Sequence, residues 1–321
     1  MKNILLILSL ITTFSTYANE TDSESLIEKV SRYQWHHGAE NCDADKSAAI
    51  EVLAVNKDTY ILRQNRCTNF EAPFIYLLFG EHTLFIQDTG ATGDANVFPL
   101  YQTVKQIIKQ RAEEHKDKRA NELKILVTHS HGHSDHRAAD AQFRGKENVT
   151  LIEPEEEAMQ GYFGFNQWPE GEATIDLGNR KLTVFPIPGH HARSIAVYDP
   201  DTQWLLTGDT FYPGRLYVMD WKAFKYSISK LVSFSKTHTI SALMGTHIEM
   251  SNQAGIDYPM GNSFQPNEAP LPLSVVELRL LDETLVEMGD EVSDKVLDKF
   301  IISPVGILQK TLSTVLGWFL G

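Results

Sequence analysis

Hydrophobic residues along the chain form short runs separated by polar turns, and these runs predict strands and helices in alternation. Residues 74–79 and 83–86 are rich in β-forming side chains and flank a glycine-containing turn, so they predict a buried hairpin. Apolar positions recur at helical spacing over residues 99–114, and an apolar strand is predicted directly afterwards at residues 124–127. This strand leads into a polar, histidine-rich segment.

The second half of the chain shows the same alternation. Its predicted strands are residues 174–177, 181–185, 194–198, 203–206 and 240–244, and its predicted helix is residues 221–234. Because strands and helices are interspersed, we expect an α+β fold in which sheets are covered by helices.

The C-terminal part of the chain predicts a helical extension over residues 256–321. Val275, Leu278, Leu281 and Leu285 recur at helical spacing, and residues 305–321 are amphipathic with Lys310 as the single charged side chain. Helices that lie on a membrane surface usually carry several cations, so we expect packing against the body or against a second subunit. A homodimer through these helices is therefore one expectation.

The first eighteen residues have the layout of a secretory signal peptide, with Lys2, an apolar run at residues 4–8 and small residues before Asn19. The apolar stretch is shorter than the roughly 20 residues that a spanning helix needs. We expect cleavage after Ala18, a periplasmic or secreted protein and no membrane span in the mature chain. The expected division is then 1–18 signal peptide, 19–255 catalytic domain and 256–321 helical extension.

Composition narrows the class of function. The formal net charge of −13 repels a phosphate backbone, so we do not expect a nucleic acid partner. We expect a small-molecule substrate instead. Cys42 and Cys67 are the two cysteines, and both lie far from the histidine-rich segment, which argues against a cysteine-based zinc site. In an oxidising compartment they form either a disulfide or two thiols, and the sequence leaves both open.

Four histidines lie within eight residues: His129, His131, His133 and His136, with Asp135 among them. Such density directly after a buried strand indicates metal binding. Alternate residues of an extended segment point to one side, so His131 and His133 can reach the same ion. Asp135 and His136 are adjacent and must point elsewhere, towards a second ion. Imidazole and carboxylate ligands without thiolate favour zinc at a catalytic site.

Residues 128–136 read Thr-His-Ser-His-Gly-His-Ser-Asp-His and resemble the H-x-H-x-D-H signature of the metallo-β-lactamase superfamily. Other segments that resemble the family's elements follow its order, and together they cover roughly residues 50–250. They are Asp88 in residues 86–90, Pro188-Gly189-His190 with Ser194, Asp209 in residues 206–210, and Gly245-Thr246-His247. The ordered set is a stronger indication than any single motif.

The resemblance implies a dinuclear site and an αββα sandwich, two mixed sheets flanked by helices, with the site at one edge. It implies two Zn²⁺ per chain, although iron or manganese also suits such ligands. The implied ligands are His131, His133 and His190 for the first ion, Asp135, His136 and His247 for the second, and Asp209 as the bridge.

Several nearby residues need a separate interpretation. His191 follows His190 where many relatives have threonine, which makes it a rival ligand; we assign His190 because it directly follows the glycine. His129 precedes the motif and is expected not to bind metal, and Asp88 is expected to orient the histidine loop through hydrogen bonds. The remaining histidines are expected to be surface or supporting groups: His36, His37, His82, His115 and His238.

The family resemblance also implies a mechanism, in which a metal-bridging hydroxide attacks the substrate and Asp135 manages the proton. Because Asp209 supplies a carboxylate bridge, we expect an ester, lactone or thioester substrate. A zinc β-lactamase is the alternative, and a non-catalytic zinc-binding protein is the second. Aromatic residues near the motifs either line an acyl pocket, with Arg215 reaching a substrate carboxylate, or pack in the core: Tyr162, Phe163, Phe165, Trp168, Phe211, Tyr212 and Tyr217.

Overall fold

The structure is a computed structural model that describes residues 25–116 and 122–306. The predicted signal peptide lies outside the described residues, and so does most of the amphipathic segment 305–321. Within the part of the chain that is described, no helix combines the length and the apolar character needed to cross a membrane.

Fifteen strands are present in the described residues, and the predicted runs at 74–79, 83–86 and 124–127 are among them. In chain order they are β1 Ile50–Asn56, β2 Thr59–Gln64, β3 Phe74–Phe79, β4 Thr83–Gln87, β5 Lys124–Thr128, β6 Val149–Leu151, β7 Ala173–Asp176, β8 Lys181–Pro186, β9 Ile195–Asp199, β10 Trp204–Gly208, β11 Arg215–Val218, β12 Ala242–Gly245, β13 Pro272–Leu273, β14 Lys295–Val296 and β15 Ile301–Pro304.

The helices of the described residues include the two that were predicted in the body. In chain order they are α1 Leu26–Arg32, α2 Leu100–His115, α3 Ser134–Arg137, α4 Asp140–Phe143, α5 Glu156–Phe163, α6 Trp221–Ser235 and α7 Val275–Met288, with a short 3₁₀ turn at Cys42–Ala44.

The strands form two mixed six-stranded sheets and one small sheet. The first sheet has the order β1-β2-β3-β4-β5-β6, antiparallel as far as β4 and parallel from β4 to β6. The second has the order β13-β12-β10-β9-β8-β7, in which β10 and β12 are parallel. The small sheet has the order β11-β15-β14.

Strand β3 shows how the layers are packed. All six of its residues are buried, yet they alternate between two clusters. Phe74, Tyr76 and Leu78 belong to the cluster between the two sheets, whereas Ile75 and Leu77 belong to the cluster that contains the apolar face of α2. A strand that is covered on both faces needs no polar positions, which explains its uniformly apolar sequence.

The second sheet is covered by α6 and α7. Phe224 of α6 and Leu278 of α7 share one buried cluster with Leu205 of β10. Side chains cap both helices at their first residues, because Asp220 accepts a hydrogen bond from the Ala223 amide and Ser274 forms a capping box with Glu277. The layers therefore run helix, sheet, sheet, helix, and the predicted αββα sandwich is confirmed.

The C-terminal segment contains the predicted helix, α7, and also adds strands to the body. Strand β13 extends the second sheet, and β15 pairs in parallel with β11. Upstream of both, the buried Glu268 carboxylate accepts hydrogen bonds from the Arg63 guanidinium, with an Nη1–Oε2 distance of 2.6 Å. Helix α7 packs on the body of the protein. The domain boundary after residue 255 stays a prediction.

Cys42 and Cys67 form a disulfide, which resolves the alternative that the sequence left open. The bridge joins the segment before β1 to the loop that connects β2 and β3. That loop continues through Glu71 to the edge of the sandwich at which the predicted ligands lie.

Candidate metal centre

The predicted ligands lie after the ends of strands at one edge of the sandwich. The histidine segment follows β5, His190 follows β8, Asp209 follows β10 and His247 follows β12. Since β10 and β12 are parallel, their carboxyl ends meet at the same edge, which brings Asp209 and His247 together. Two residues that are 38 positions apart in the chain thus become neighbours.

Three imidazole rings form the first set of predicted ligands. The Nε2 atom of His131 lies 2.9 Å from Nδ1 of His133 and 3.2 Å from Nε2 of His190, and the last two atoms are 3.1 Å apart. Nitrogens bound tetrahedrally to zinc at about 2.0–2.1 Å lie roughly 3.3 Å apart. The three rings therefore converge as the ligands of one cation do.

Two carboxylates and two imidazoles form the second set of predicted ligands. The Oδ2 atom of Asp135 lies 3.1 Å from Nε2 of His136 and 3.4 Å from Nε2 of His247. The two histidine nitrogens are themselves 3.4 Å apart. Asp209 completes this group, whose ligand atoms all lie within 4.8 Å of one another.

Asp209 lies between the two sets. Its Oδ2 is 3.4 Å from Nε2 of His136 in the second set, and 3.7 Å and 3.9 Å from Nε2 of His190 and His131 in the first. Thr246 donates a hydrogen bond to its other oxygen, Oδ1, which orients the carboxylate. The residue expected to bridge two ions thus has one oxygen within reach of both groups.

Hydrogen bonds from outside the sets fix the orientation of three of the rings. The Nδ1 atoms of His190 and His247 each lie 2.9 Å from a backbone carbonyl oxygen, of Tyr217 and Glu71 respectively. His136 Nδ1 lies 3.1 Å from Oδ2 of Asp88. A proton held on Nδ1 by an acceptor leaves the lone pair on Nε2, the atom that faces the site.

Asp88 also holds the histidine loop, as the sequence predicted. Its carboxylate accepts hydrogen bonds from the backbone amide and the hydroxyl of Ser130, at 2.7 and 2.9 Å. The loop also passes close to Gly208, where an added Cβ would lie 2.6 Å from the Cβ of Ser130 at a φ of +52°. The glycine before Asp209 is therefore required by this close approach.

The two ligand sets have opposite protonation tendencies. Burial lowers the pKa of His131, His133 and His190, to about 4 for His133, so these rings are neutral at pH 7. In the second set, burial also lowers the pKa of His247, but the carboxylates of Asp209 and Asp135 outweigh it and raise the value to about 9. The pKa of His136 is raised for the same reason.

A cleft of about 320 Å³ opens over the two sets. Its walls include ligands, two tyrosines and three apolar side chains, Met219, Met260 and Val305. Two acidic residues that the sequence analysis missed, Glu71 and Glu249, line it as well. Burial raises the pKa of both, to about 7 for Glu71. The position of Glu249, two residues after His247, is the one local signal that could have found it.

The other histidines near the motif do not join the ligand sets. His129 is buried with Nε2 2.8 Å from Oδ1 of Asp140 and Nδ1 3.1 Å from the Ile152 carbonyl oxygen, so both nitrogens face groups outside the site. His191 accepts a hydrogen bond from the Arg193 amide, and its ring lies 4.9 Å from that of His133. The remaining histidines also lie outside both groups among the described residues: His36, His37, His82, His115 and His238.

The aromatic residues considered for an acyl pocket divide into two groups. Tyr212 and Tyr217 line the cleft, whereas the others do not: Tyr162, Phe163, Phe165, Trp168 and Phe211. Phe163 and Phe165 are buried between the sheets, where Trp168 packs against them. The Arg215 guanidinium donates to Asp257 at 2.6 Å, and Arg215 is not among the residues that line the cleft. The core-packing interpretation therefore fits Phe163, Phe165 and Phe211, which are buried, whereas Tyr162 is exposed.

Comparison with known proteins identifies the family of this chain. The sequence model of the metallo-β-lactamase superfamily matches residues 68–283. Hydroxyacylglutathione hydrolases of Brucella ovis and Brucella abortus are 31% identical over 120 residues, which is 36% of this chain and 46% of theirs. The chain thus spans about half the length of these relatives. The solved metallo-β-lactamase from Pontibacter korlensis has a TM-score of 0.49 and 15% identity, covering 74% of this chain and 99% of its own.

Because the family match covers most of the chain, this protein belongs to the metallo-β-lactamase superfamily, a class of metal-dependent hydrolases. The two groups of histidine and aspartate side chains at its sandwich edge indicate the use of divalent metal. All seven residues that the sequence assigned as ligands are members of those groups.

Proposed function

We propose that this protein is an exported dinuclear zinc hydrolase of esters, lactones or thioesters. The position of Asp209 carries the proposal, since one carboxylate oxygen lies 3.4 Å from His136 Nε2 and 3.7 Å from His190 Nε2. A shared carboxylate between two complete ligand groups is the arrangement that a dinuclear centre needs.

The residues present fit two zinc ions. The first group offers three neutral imidazole nitrogens, and the second offers two imidazoles and a carboxylate, with Asp209 common to both. These are borderline nitrogen and hard oxygen donors without a thiolate, a combination found at catalytic zinc sites. When bound, zinc supplies Lewis acidity and lowers the pKa of water from 15.7 to about 7.

The side chains around the site would perform the remaining tasks. Asp135 faces the cleft, and its carboxylate holds or transfers a proton at Oδ2, next to Nε2 of His136 and His247. Tyr217 and Met219 form the wall beside His190 and exclude water from that side of a bound acyl group. No serine or cysteine nucleophile is needed.

The substrate class rests on two observations. Asp209 provides a carboxylate at the shared position, which favours ester, lactone or thioester hydrolysis over β-lactam hydrolysis in this family. The similar Brucella proteins are named hydroxyacylglutathione hydrolases, and such enzymes act on a thioester. This second observation covers 36% of the chain, so it supports the bond type and not a particular substrate.

Metal analysis combined with a substrate panel tests the proposal. Protein expressed with added zinc should hold close to two ions per chain and should hydrolyse at least one of an aryl ester, a γ-lactone and an S-acyl thioester. Chelator-treated protein is the control, and added zinc should restore its turnover. One ion or none would contradict the dinuclear assignment, and turnover of β-lactams alone would contradict the substrate class.

Export is supported by the layout of residues 1–18 and by the disulfide between Cys42 and Cys67, since disulfides persist mainly in oxidising compartments. N-terminal sequencing of protein recovered from the periplasm or the medium should begin at or near Asn19. Soluble cytoplasmic protein that retains Met1 would contradict this part of the proposal.

A further inference from the structure

Two segments that are far apart in the chain meet behind the second ligand set. One is the β2–β3 loop, residues 65–73, and the other is the His247 segment, residues 246–249, which follows β12. The Phe74 amide at the end of the loop donates to the Thr246 carbonyl at 2.8 Å, and Nδ1 of His247 lies 2.9 Å from the Glu71 carbonyl oxygen. The orientation of the His247 ring therefore depends on where the loop is held.

The backbone beside the Glu71 carbonyl has a conformation that needs support. Ala72 is fully buried and has a φ of +43°, a left-handed value that is unfavourable for a residue with a Cβ. Inside the loop, the Asn69 side chain accepts a hydrogen bond from the Glu71 amide at 3.0 Å, and the Asn69 carbonyl accepts one from the Ala72 amide at 3.1 Å. These bonds stabilise the shape of the loop but do not connect it to the His247 segment.

Arg66 makes that connection with one buried guanidinium. Its Nη1 donates to the Phe70 carbonyl oxygen at 2.7 Å, in the loop, and its Nη2 donates to the Ile248 carbonyl oxygen at 2.8 Å. Its Nε donates to the Glu268 carboxylate at 3.2 Å, which orients the planar group. The two carbonyls belong to the chain neighbours of the donor and the acceptor in the hydrogen bond that orients the ligand.

Arg63 provides an internal comparison, because it binds the same carboxylate without reaching those carbonyls. Its guanidinium is also buried, and it donates to both oxygens of Glu268, from Nη1 to Oε2 at 2.6 Å. Its Nε has no hydrogen-bond partner among the described residues. Of the two arginines that hold this acid, Arg66 is thus the one that also binds backbone beside the metal centre.

We propose that Arg66 is a positioning residue for the second ligand set. Its guanidinium holds the β2–β3 loop and the His247 segment at the separation at which the Glu71 carbonyl orients His247, so that Nε2 of the ring faces the site. The inference rests on the proposed dinuclear zinc hydrolase and identifies a residue outside the cleft chemistry on which its second ion depends. A histidine held in this way binds metal more tightly than one that must be ordered on binding.

The zinc affinity of each set, measured separately, tests the proposal. Competition with a chromophoric zinc chelator reports on the second set in a His190→Ala background and on the first set in a His136→Ala background. Arg66→Lys keeps the charge beside Glu268 but replaces the planar fork with a single ammonium, which cannot hold both carbonyls in this geometry. We expect the affinity of the second set to fall about tenfold or more, the usual loss when a group that orients a metal ligand is removed, and that of the first set to stay parental.

Arg63→Lys is the matched control, since it makes the same change at a buried arginine that donates to the same carboxylate. Both affinities should remain within about twofold of the parent, because the Arg63 guanidinium donates to neither carbonyl. Thermal unfolding of the metal-free variants is recorded in parallel and shows how much stability each has lost. A role of Arg66 in stability alone would weaken the second set equally in the two variants.

A second measurement uses the unaltered chain and does not depend on the folding of a variant. With isotope-labelled arginine and histidine, the Nε–H resonance of Arg66 should shift in step with the His247 ring resonances as zinc fills the second set. The Nε–H resonance of Arg63 should not follow this step. An Arg66 resonance that does not respond to zinc would overturn the proposal.

The outcomes separate this inference from the function on which it rests. Unchanged second-set affinity in Arg66→Lys, or equal losses in Arg66→Lys and Arg63→Lys, would overturn the role of Arg66 while leaving the dinuclear centre intact. Absence of zinc binding in the His190→Ala background with Arg66 unaltered would instead contradict the dinuclear assignment, and the inference would fall with it.

Discussion

The two ligand sets lie side by side but differ in chemistry. The first consists of His131, His133 and His190, three neutral imidazoles without a carboxylate of their own. The second contains the carboxylates of Asp135 and Asp209, which raise the pKa of the histidines beside them. One set is ready for a cation at neutral pH, and the other must release protons before a cation can bind. Asp209 belongs to the second set, and its Oδ2 also lies 3.7 Å from Nε2 of His190 in the first set.

The largest effect is expected for the residue that the two sets share. Asp209→Ala leaves the histidines of both sets in place but removes the oxygen between them, so one ion remains while the pair loosens. We expect kcat to fall by roughly 10²-fold or more, the usual size of lost electrostatic stabilisation. Steady-state kinetics with metal analysis and circular dichroism measure this. A folded variant with two ions and parental turnover would show that the sets function independently.

The dependence of the second set on Asp88 gives the next effect. Asp88→Asn keeps the side-chain volume but weakens the acceptor for His136 Nδ1, and losses of such supporting bonds typically lower metal affinity about 10–100-fold. Competition with a zinc chelator should show one weakened site per chain. Asp140→Asn is the matched control, because it changes a buried carboxylate that contacts His129, outside both sets. Equal weakening in both variants would contradict a specific role for Asp88.

Proton release on zinc binding sharpens the comparison further. The raised pKa of His247, about 9, means that its ring is protonated at pH 7 in the metal-free protein, so binding to the second set must displace a proton. The lowered pKa values of the first set mean that its rings bind without release. Calorimetry at pH 7 in buffers of different ionisation enthalpy should find that one binding step releases protons and the other does not. At pH 10, above the pKa of His247, the proton release of the second step should be smaller than at pH 7.

The smallest effect is expected beside the first set. His191→Ala removes a ring that packs 4.9 Å from His133 but is outside the ligand group, so zinc content should stay at the parental value. His190→Ala is the matched comparison and should lose one ion, because its Nε2 is a member of the group. Loss of zinc in His191→Ala with retention in His190→Ala would exchange the two assignments.

The grouping of the seven predicted ligands could be anticipated because most of the sequence signal for it is local. Four histidines and an aspartate lie within eight residues, and the motifs carrying His190, Asp209 and His247 follow in the family's order. Glu71 and Glu249 were not predicted, because each is a single carboxylate without a partner at ligand spacing. Contacts between distant segments, such as the hydrogen bond from the Phe74 amide to the Thr246 carbonyl, bring them to the cleft.

The fold was predictable where apolar runs are uninterrupted, as in β3 and β4, and where apolar positions recur at helical spacing, as in α2. Strands β1 and β2 were not predicted, and β2 shows the reason. It ends in Arg63 and Gln64, which are polar yet buried, and the carboxylate that compensates Arg63 belongs to Glu268, 205 residues further along the chain. The small sheet was missed for a similar reason, because β11 gains its hydrogen-bonding partner, β15, only from the C-terminal segment.

Because β11 pairs with β15, we expect that the segment carrying the seven predicted ligands cannot fold in its native form without the C-terminal strands. Tyr217, whose carbonyl oxygen holds His190, lies on β11, and opposite it in the ladder is Ser303 of β15. A chain cut after residue 255 would keep every ligand but would lose the strand that fixes this carbonyl, together with β13 and α7. Transplanting the catalytic motifs to another scaffold would therefore require the distant C-terminal strands to be carried with them.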